Sequence, residues 1–142
     1  MTLEVALAMA QQEGRWLLQL RDDIKGIVHP GTWGLFGGHL DPGETPEQAL
    51  LRELREEINW QAQEVAFWFE HRNPQRVAHF FRTTLSVPLE ALDLREGQDM
   101  VLASLEELRS GSIWSPRRRE KRPLAPSLQQ AVEVLVQEGS PP

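Results

Sequence analysis

The segment from Thr45 to Asn59 constrains the fold of this chain most strongly, because it carries both a start and a stop signal for a helix. Thr45 suits the N-cap position, Pro46 suits the first helical position, and Gln48 completes a capping box. Asn59 tolerates the left-handed conformation in which many helices end. The sequence therefore predicts one helix that runs from Pro46 to Ile58.

The predicted helix has two chemically different faces at about 3.6 residues per turn. An apolar arc that predicts packing against a sheet consists of Leu50, Leu51, Leu54 and Ile58. The opposite side carries Arg52, Glu53, Glu56 and Glu57. Glutamates at these spacings repel each other, and a hard divalent cation, magnesium above all, would relieve the repulsion. Taken alone, however, the glutamates are more typical of a solvated acidic face.

The residues before the helix add features that a solvated helix does not need. The sequence from Asp41 to Gly43 predicts a tight turn that returns Glu44 toward the start of the helix. Gly37 and Gly38 would allow a ligand to approach the backbone closely, and we interpret both as substrate-binding candidates. This neighbourhood favours a binding site over a solvated face.

The stretch from Gly38 to Trp60 resembles the Nudix box, which is a glycine, a glutamate and an Arg-Glu-apolar-any-Glu-Glu-any-Gly-apolar segment at fixed spacings. Here Gly38 is followed after five residues by Glu44, and after seven more by the segment Arg52 to Trp60. The lead-in from Trp33 to Gly37 also resembles that of the family. On these residues the chain is identified as a MutT-like member of the Nudix hydrolase family.

Two positions depart from the family pattern. Asn59 stands where the family usually has glycine, and both residue types accept the left-handed end of a helix. Phe36 stands where many members have proline, a change that would alter the loop at the mouth of the site. Neither departure removes a residue that the resemblance makes a metal ligand.

The resemblance implies hydrolysis of a phosphoric anhydride in a nucleoside diphosphate linked to another group. It makes Glu53, Glu56 and Glu57 ligands of Mg²⁺, with Mn²⁺ as the alternative ion. Arg52 would orient these glutamates by ion pairing, and Glu44 would support the loop or help to bind metal. The expected catalytic residues are therefore Glu53, Glu56, Arg52 and Glu44. The general base would be a glutamate of the helix or of a distant loop.

Three features outside the box are further candidates. Glu96 lies in a Glu-Gly-Gln run that resembles the loop supplying another metal-binding carboxylate in MutT-type members; the alternative is a turn glutamate in solvent. Arg21, at the end of a predicted strand, would reach substrate phosphate or base, and an exposed arginine is the alternative. The basic run from Arg117 to Arg122 would guide an anionic substrate, although a solvated loop is the favoured interpretation.

The rest of the chain predicts strands interleaved with helices, and hence an α/β fold. The predicted strands are Val5 to Met9, Arg15 to Arg21, Glu64 to Glu70, Arg76 to Leu85 and Asp99 to Ala103. The predicted connections and helices are a loop from Asp22 to Leu35, a turn from His71 to Pro74, a short helix capped by Ser104, and a terminal helix from Pro126 to Val136. The resemblance implies the Nudix fold, a mixed sheet between helices (α/β/α), and we expect residues 1–142 to form a single domain.

Composition limits the partners. The formal charge of −6 argues against a nucleic-acid polymer, since such partners normally require a basic surface. No apolar run approaches the roughly 20 residues that cross a bilayer, and the N-terminal residues lack a basic leader, so we expect a cytoplasmic protein without membrane contact. We expect a small-molecule nucleotide as substrate. A homodimer is compatible with the resemblance, although no segment identifies an interface.

Three functions stay open at this point. The first is a MutT-like nucleoside triphosphate pyrophosphatase, and the second is a Nudix hydrolase of a nucleotide sugar, ADP-ribose or a dinucleoside polyphosphate. The segments Asp22 to Gly31 and Gly111 to Pro123 would decide between these two, but their sequences do not indicate a substrate. The third is a Nudix module that senses a nucleotide without cleaving it. Such modules usually lose box glutamates, and this chain retains Glu44, Glu53, Glu56 and Glu57.

Overall fold

A mixed sheet of seven strands forms the centre of the computed structural model, which describes residues 2–139. Its strands are β1 (Leu3–Gln12), β2 (Arg15–Leu20), β3 (Trp33–Gly34), β4 (Phe36–His39), β5 (Ala66–Arg72), β6 (Arg76–Thr84) and β7 (Asp99–Ser104). The neighbours in order are β3, β2, β1, β6 and β5, while β4 pairs with β1 and β7 with β2. Only β1 and β6 run parallel among the described strands, so the predicted mixed sheet is confirmed.

Buried side chains on both faces of β1 place this strand in the middle of the protein. One hydrophobic core contains Val5, Leu7 and Met9, and the core on the opposite face contains Ala6, Ala8 and Ala10. Helix α1 (Pro46–Ile58) packs in the core with the alanines. The terminal helix, Pro126–Gly139, packs in the other core. The sheet therefore lies between helices, as the predicted α/β/α arrangement requires.

The ends of α1 are held as its sequence predicts. The Gln48 backbone N–H donates to Thr45 Oγ1 at 3.1 Å, and the Thr45 backbone N–H donates to Gln48 Oε1 at 3.0 Å. Asn59 closes the helix in the left-handed conformation, with φ 52° and ψ 39°. The buried stripe consists of Ala49, Leu50, Leu54 and Ile58, with Leu51 partly buried at its edge. The predicted bounds of this helix are confirmed.

Two short elements connect the sheet to the terminal helix. Helix α2 (Leu105–Ser110) follows Ser104, which caps the helix as predicted and forms a capping box with Glu107. A hairpin of β8 (Ser112–Ser115) and β9 (Glu120–Pro123) comes next and leads into the terminal helix, named α3. Helix α3 ends at Gly139, beyond the predicted end at Val136. Within residues 2–139 no helix has both the length and the apolar character to cross a membrane.

The predicted loop from Asp22 to Leu35 is shorter in the structure, because Trp33 and Gly34 pair with β2. The next strand, β4, pairs with β1 although its two glycines give it little intrinsic preference for a strand. Pairing with a neighbouring strand is therefore the reason for both differences, and a local sequence pattern does not reveal it. β2 itself ends at Leu20, so Arg21 belongs to the loop.

The bounds of β5 and β6 also differ from the prediction. β5 begins at Ala66 rather than at Glu64, and it includes His71 and Arg72, which were expected to form the turn. Both residues pair with β6 and are therefore extended. β6 ends one residue earlier than predicted, before Leu85.

Candidate active site

The acidic face of α1 meets the two glycines of β4. The Gly37 backbone N–H donates to Glu57 Oε1 at 2.9 Å. A Cβ atom at Gly38 would lie 2.7 Å from the carboxyl carbon of Glu53, and one at Gly37 would lie 2.0 Å from the carbonyl oxygen of Ala6. The glycines therefore let the carboxylates of α1 approach the sheet closely. Contact of Gly37 and Gly38 with a substrate stays a prediction.

The Arg52 guanidinium joins the glutamates of this region. It donates to both carboxylate oxygens of Glu44, from Nε at 2.8 Å and from Nη2 at 2.9 Å. Its Nη1 donates to Glu53 Oε1 at 2.9 Å and to Glu56 Oε2 at 3.2 Å. Nη2 also donates to the carbonyl oxygen of His39 at 3.0 Å. The ion pairs expected of Arg52 are thus present.

Glu44 is held between Arg52 and the turn before the helix. Its Oε1 accepts a hydrogen bond from the Asp41 backbone N–H at 2.7 Å. Hydrogen bonds from Arg52 and then from Asp41 lower the pKa of Glu44 to about 2. Two roles were expected for Glu44, loop support and metal binding. Both of its carboxylate oxygens already accept hydrogen bonds, so the arrangement favours loop support.

Glu53 and Glu57 are crowded by other carboxylates. Burial raises the pKa of Glu57 to about 10, and a hydrogen bond with Glu96 adds to this shift. Burial also raises the pKa of Glu53, against the hydrogen bond from Arg52, and the charges of Glu56 and Glu96 contribute in the same direction as burial. The loop before β7 therefore brings Glu96 to the same place as the α1 glutamates.

These carboxylates are the donor type that a hard divalent ion requires. A cation among them would offset the negative charge that helps to raise the pKa values of Glu53 and Glu57. Within residues 2–139 the structure contains no group of three or more His, Asp or Glu side chains arranged to hold a metal ion. Arg52 donates to one oxygen of Glu53 and to one of Glu56, which leaves the second oxygen of each side chain free of this contact. The chemistry of these side chains fits magnesium, whereas their placement in the structure does not complete a metal site.

A buried glutamine of β2 holds the loop that carries Glu96. Gln19 Nε2 donates to the carbonyl oxygen of Glu96 at 2.9 Å, and only 4% of Gln19 is exposed. The Gln98 backbone N–H fixes the same loop to the carbonyl oxygen of Leu20 at 2.8 Å. Sequence reasoning missed Gln19. The available signal was a single polar residue in an otherwise apolar strand segment, Leu17 to Leu20.

Arg21 lies just after β2, where its Nε donates to the carbonyl oxygen of Val28 at 2.9 Å. Its side chain lies beside Gly34, at which a Cβ would be 3.7 Å from Arg21 Cδ. Burial lowers the pKa of Arg76, and the nearby charge of Arg21 lowers it further. Within residues 2–139 neither arginine forms an ion pair. Arg76, which has no distinctive sequence signal, therefore joins Arg21 as a candidate for binding an anionic group.

The basic run near the C-terminus is partly neutralised within the protein. Arg117 Nε lies 3.5 Å from Asp99 Oδ1, and Arg118 Nε lies 3.7 Å from Glu120 Oε1. Arg122 Nη2 lies 2.7 Å from the same oxygen of Glu120. The favoured interpretation of this run as a solvated loop is wrong for its last part, because that part is β9. The charge pattern of the run did not indicate that residues 120–123 would pair with β8.

Known proteins share this architecture. A family model described as NUDIX domain matches residues 2–125. The nucleoside triphosphatase NudI of Escherichia coli is 44% identical over 57 residues, which are 40% of this chain and 40% of that protein. This chain therefore spans less than half the length of the curated relatives that it matches.

Two solved structures show the same fold. A MutT structure, from work on Aliivibrio salmonicida and Vibrio cholerae, has a TM-score of 0.75 and 20% identity, and the match covers 97% of this chain and 99% of that one. The NUDIX domain of Shewanella oneidensis NrtR, complexed with ADP ribose, has a TM-score of 0.71 and 20% identity over 97% of this chain and 88% of that one. The family match includes the strands around the acidic helix as well as the helix itself. The chain therefore belongs to the Nudix family.

Proposed function

We propose that the chain is a MutT-like nucleoside triphosphate pyrophosphatase that depends on Mg²⁺, with Mn²⁺ as an alternative. The observation that carries this proposal is a group of four carboxylates: Glu57 and Glu53 lie against Gly37 and Gly38, and Glu56 and Glu96 lie close to these two glutamates. A phosphoric anhydride is itself anionic, so these carboxylates bind it favourably only through a cation. NudI is named a nucleoside triphosphatase, which supports the substrate class.

Each residue of the site has a separate task in this proposal. Glu53, Glu56, Glu57 and Glu96 hold the ion, which when bound neutralises substrate charge and lowers the pKa of a bound water. Arg52 keeps Glu53 and Glu56 in place, and Glu44 holds the other edge of the Arg52 guanidinium. A glutamate of α1 or Glu96 accepts the proton of the attacking water. Glu53, Glu56, Arg52 and Glu44 thus form the catalytic group.

The substrate contacts two further sets of residues in this proposal. Gly37 and Gly38 offer backbone close to the carboxylates, and Arg21 with Arg76 offers positive charge for a phosphate. Phosphoryl transfer depends mainly on positioning and electrostatic stabilisation, which is what these residues supply.

A product analysis tests the reaction. The purified chain is incubated with nucleoside triphosphates, nucleotide sugars, ADP-ribose and dinucleoside polyphosphates, with Mg²⁺ and separately with Mn²⁺. We expect a nucleoside monophosphate and pyrophosphate from a triphosphate, and no release without a divalent ion. Turnover that persists in chelator would contradict the metal dependence.

A matched pair of variants tests the metal ligands. Glu56→Gln should abolish magnesium-dependent turnover and leave the fold intact, because the amide lacks the charge that binds the ion. Glu47→Gln, an exposed glutamate in the first turn of the same helix, should retain full turnover. Unchanged turnover in the Glu56 variant would contradict the assignment.

A second candidate function is hydrolysis of ADP-ribose or a related compound. It is favoured by the likeness to the NUDIX domain of NrtR, which is described as complexed with ADP ribose. Preferential release of AMP from ADP-ribose in the same product analysis would select it over the first. Nucleotide binding without any turnover would instead indicate a sensing module.

A further inference from the structure

Two segments far apart in sequence meet at Trp33, namely residues 22–31 (the 22–31 loop) and the β8–β9 hairpin. Trp33 Nε1 donates to the carbonyl oxygen of Ile113 at 2.9 Å, and the Trp33 carbonyl oxygen accepts from the Ala125 backbone N–H at 2.8 Å. Trp33 is fully buried, so this joint is anchored in the core. The loop ends just before Trp33, and Trp33 is hydrogen-bonded to β8 and to the segment that follows β9.

Arg122 of β9 links the hairpin directly to the 22–31 loop. On the loop side, Nη1 donates to the carbonyl oxygen of Gly31 at 3.1 Å, and Nη2 lies 3.5 Å from Asp23 Oδ2. On the hairpin side, Nε and Nη2 donate to Glu120 Oε1 at 3.1 and 2.7 Å. The Arg122 side chain is 20% exposed, whereas that of Arg118 in the same hairpin is 50% exposed. The planar guanidinium of Arg122 therefore contacts both the 22–31 loop and the hairpin.

Gly31 is the residue that lets the loop come this close. A Cβ atom at Gly31, which has φ +67°, would lie 2.3 Å from Arg122 Nη1. Gly26 in the same loop also has a positive φ, of +100°, but a Cβ there would meet nothing within 4 Å. Both glycines relieve backbone strain. Only Gly31 also makes room for Arg122.

The 22–31 loop is in turn bound to Arg21, the arginine expected to contact substrate. Arg21 Nε donates to the carbonyl oxygen of Val28. The Arg21 backbone N–H donates to the carbonyl oxygen of Thr32 at 2.9 Å. A displacement of the loop would therefore move Arg21 relative to Arg76. The loop also exposes 59% of Ile24 and 63% of Val28, apolar side chains suited to contact a nucleobase.

We propose that Arg122 is a positioning residue that joins the β8–β9 hairpin and the 22–31 loop into one substrate-recognition unit. The inference rests on the proposed function, since this unit receives the nucleoside part of the nucleotide next to the phosphate that Arg21 and Arg76 bind. Arg122 acts through the loop rather than on the carboxylates of α1. Its loss therefore weakens and broadens nucleotide selection while the chemical step is retained.

Steady-state kinetics with two different triphosphates separate these effects. In Arg122→Ala we expect KM to rise about tenfold and kcat to stay within about twofold, as the loss of charged hydrogen bonds outside the reacting group predicts. The ratio of kcat/KM between the two triphosphates should also shrink. Arg118→Ala removes an arginine that pairs with the same Glu120, and it should change none of these values. Arg122→Lys should raise the KM less than Arg122→Ala does but should not return it to the original value, because an ammonium cannot reproduce the planar contacts of a guanidinium.

Amide hydrogen exchange of the protein without nucleotide tests the link independently of activity. Arg122→Ala should speed exchange in the 22–31 loop and leave α1 unchanged. Gly31→Ala should speed loop exchange more than Gly26→Ala does, because both changes strain a position of positive φ and only the first also displaces Arg122. In an Arg122→Ala background the two glycine variants should differ little, since the atom that only the Gly31 Cβ meets is gone.

The outcomes are distinguishable. A fall in kcat at unchanged KM in Arg122→Ala, equal losses in Arg118→Ala, or unchanged loop exchange would each overturn the positioning role. Absence of turnover in the unsubstituted chain would overturn the proposed function instead. The exchange measurement would then still decide whether Arg122 holds the loop.

Discussion

Two arginines, Arg52 and Arg122, each organise one region of this protein, and the charge around them differs. Arg52 lies within 3.4 Å of four carboxylates, those of Asp41, Glu44, Glu53 and Glu56. Arg122 lies close to one, that of Glu120, and 3.5 Å from a second, that of Asp23. The region around Arg52 therefore keeps a surplus of negative charge, whereas the region around Arg122 has little surplus.

This difference distinguishes a region that needs a cation from a contact that holds a segment in place. Beside this surplus, burial and the neighbouring carboxylate of Glu96 raise the pKa of Glu57, so that this buried group keeps its proton in the absence of a cation. Around Arg122 the positive and negative charges nearly cancel, and Nη1 of Arg122 donates to the carbonyl oxygen of Gly31 rather than to a carboxylate. Variants of the first region should therefore alter metal binding and kcat, and those of the second should alter KM.

The largest effect is expected from Arg52→Ala. Because this change leaves Glu53 and Glu56 without their shared donor, we expect kcat to fall about 100-fold and Mn²⁺ binding to weaken. Arg55→Ala, an exposed arginine of the same helix, should alter neither value. Turnover at saturating metal and Mn²⁺ binding by electron paramagnetic resonance provide the measurements. Similar losses in both variants would show that the effect is general to the helix.

A smaller effect is expected from Gln19→Leu, which removes the donor to the Glu96 carbonyl oxygen. We expect metal affinity to fall about tenfold, the lower end of the range for residues that orient metal ligands. Gln12→Leu is the control, because Gln12 also donates to carbonyl oxygens, those of Leu85 and Val87. Mn²⁺ titration compares the two variants. If affinity falls equally in both, Gln19 has no specific role at the site.

The pH dependence of stability should separate the two regions. Burial and Glu96 raise the pKa of Glu57 from 4.5 to about 10, so between these values the folded, metal-free protein holds a proton that the unfolded chain has released. The free energy of unfolding should therefore fall as the pH rises through this window, by at most about 1.4 kcal/mol per pH unit. Urea titrations across the window measure this slope.

Three comparisons identify the origin of that slope. Glu57→Gln should flatten it, because the amide does not titrate, and saturating Mg²⁺ should flatten it by stabilising the charged carboxylates. Arg122→Ala should leave it unchanged. A slope that persists in Glu57→Gln would mean that other groups cause it.

The smallest effect is expected from Asp23→Asn. Asp23 lies 3.5 Å from Arg122 and its side chain is 56% exposed, so the pair contributes about 0–1 kcal/mol and is screened by salt. We expect KM to change by less than about twofold, far below the effect of Arg122→Ala. A tenfold change in KM would instead mean that Arg122 holds the loop mainly through Asp23 rather than through the carbonyl oxygen of Gly31.

Helix α1 was predictable because its signals are local. The caps at Thr45 and Asn59 lie within the segment that they delimit, and the spacing of the glutamates places them on one face. The Nudix box extended this local information to Gly37, Gly38 and Glu44. The box glutamates could therefore be grouped before any tertiary contact was known.

The residues that sequence reasoning missed depend on contacts between distant parts of the chain. β4 exists because it pairs with β1, and Gln19 matters because it reaches Glu96. Arg122 and Gly31 are 91 residues apart. Neither periodicity nor residue type indicates such partners, so the role of the basic run was beyond a local analysis.

The joint at Trp33 has a consequence for redesign of this protein. Because the β8–β9 hairpin is hydrogen-bonded both to the buried Trp33 and, through Arg122, to the 22–31 loop that precedes it, the loop and the hairpin form a cassette that has to be exchanged as a pair. A graft of the loop alone would present a foreign backbone to Arg122. Helix α1 with its carboxylates could stay as it is, because Arg122 acts through the loop and not on those carboxylates.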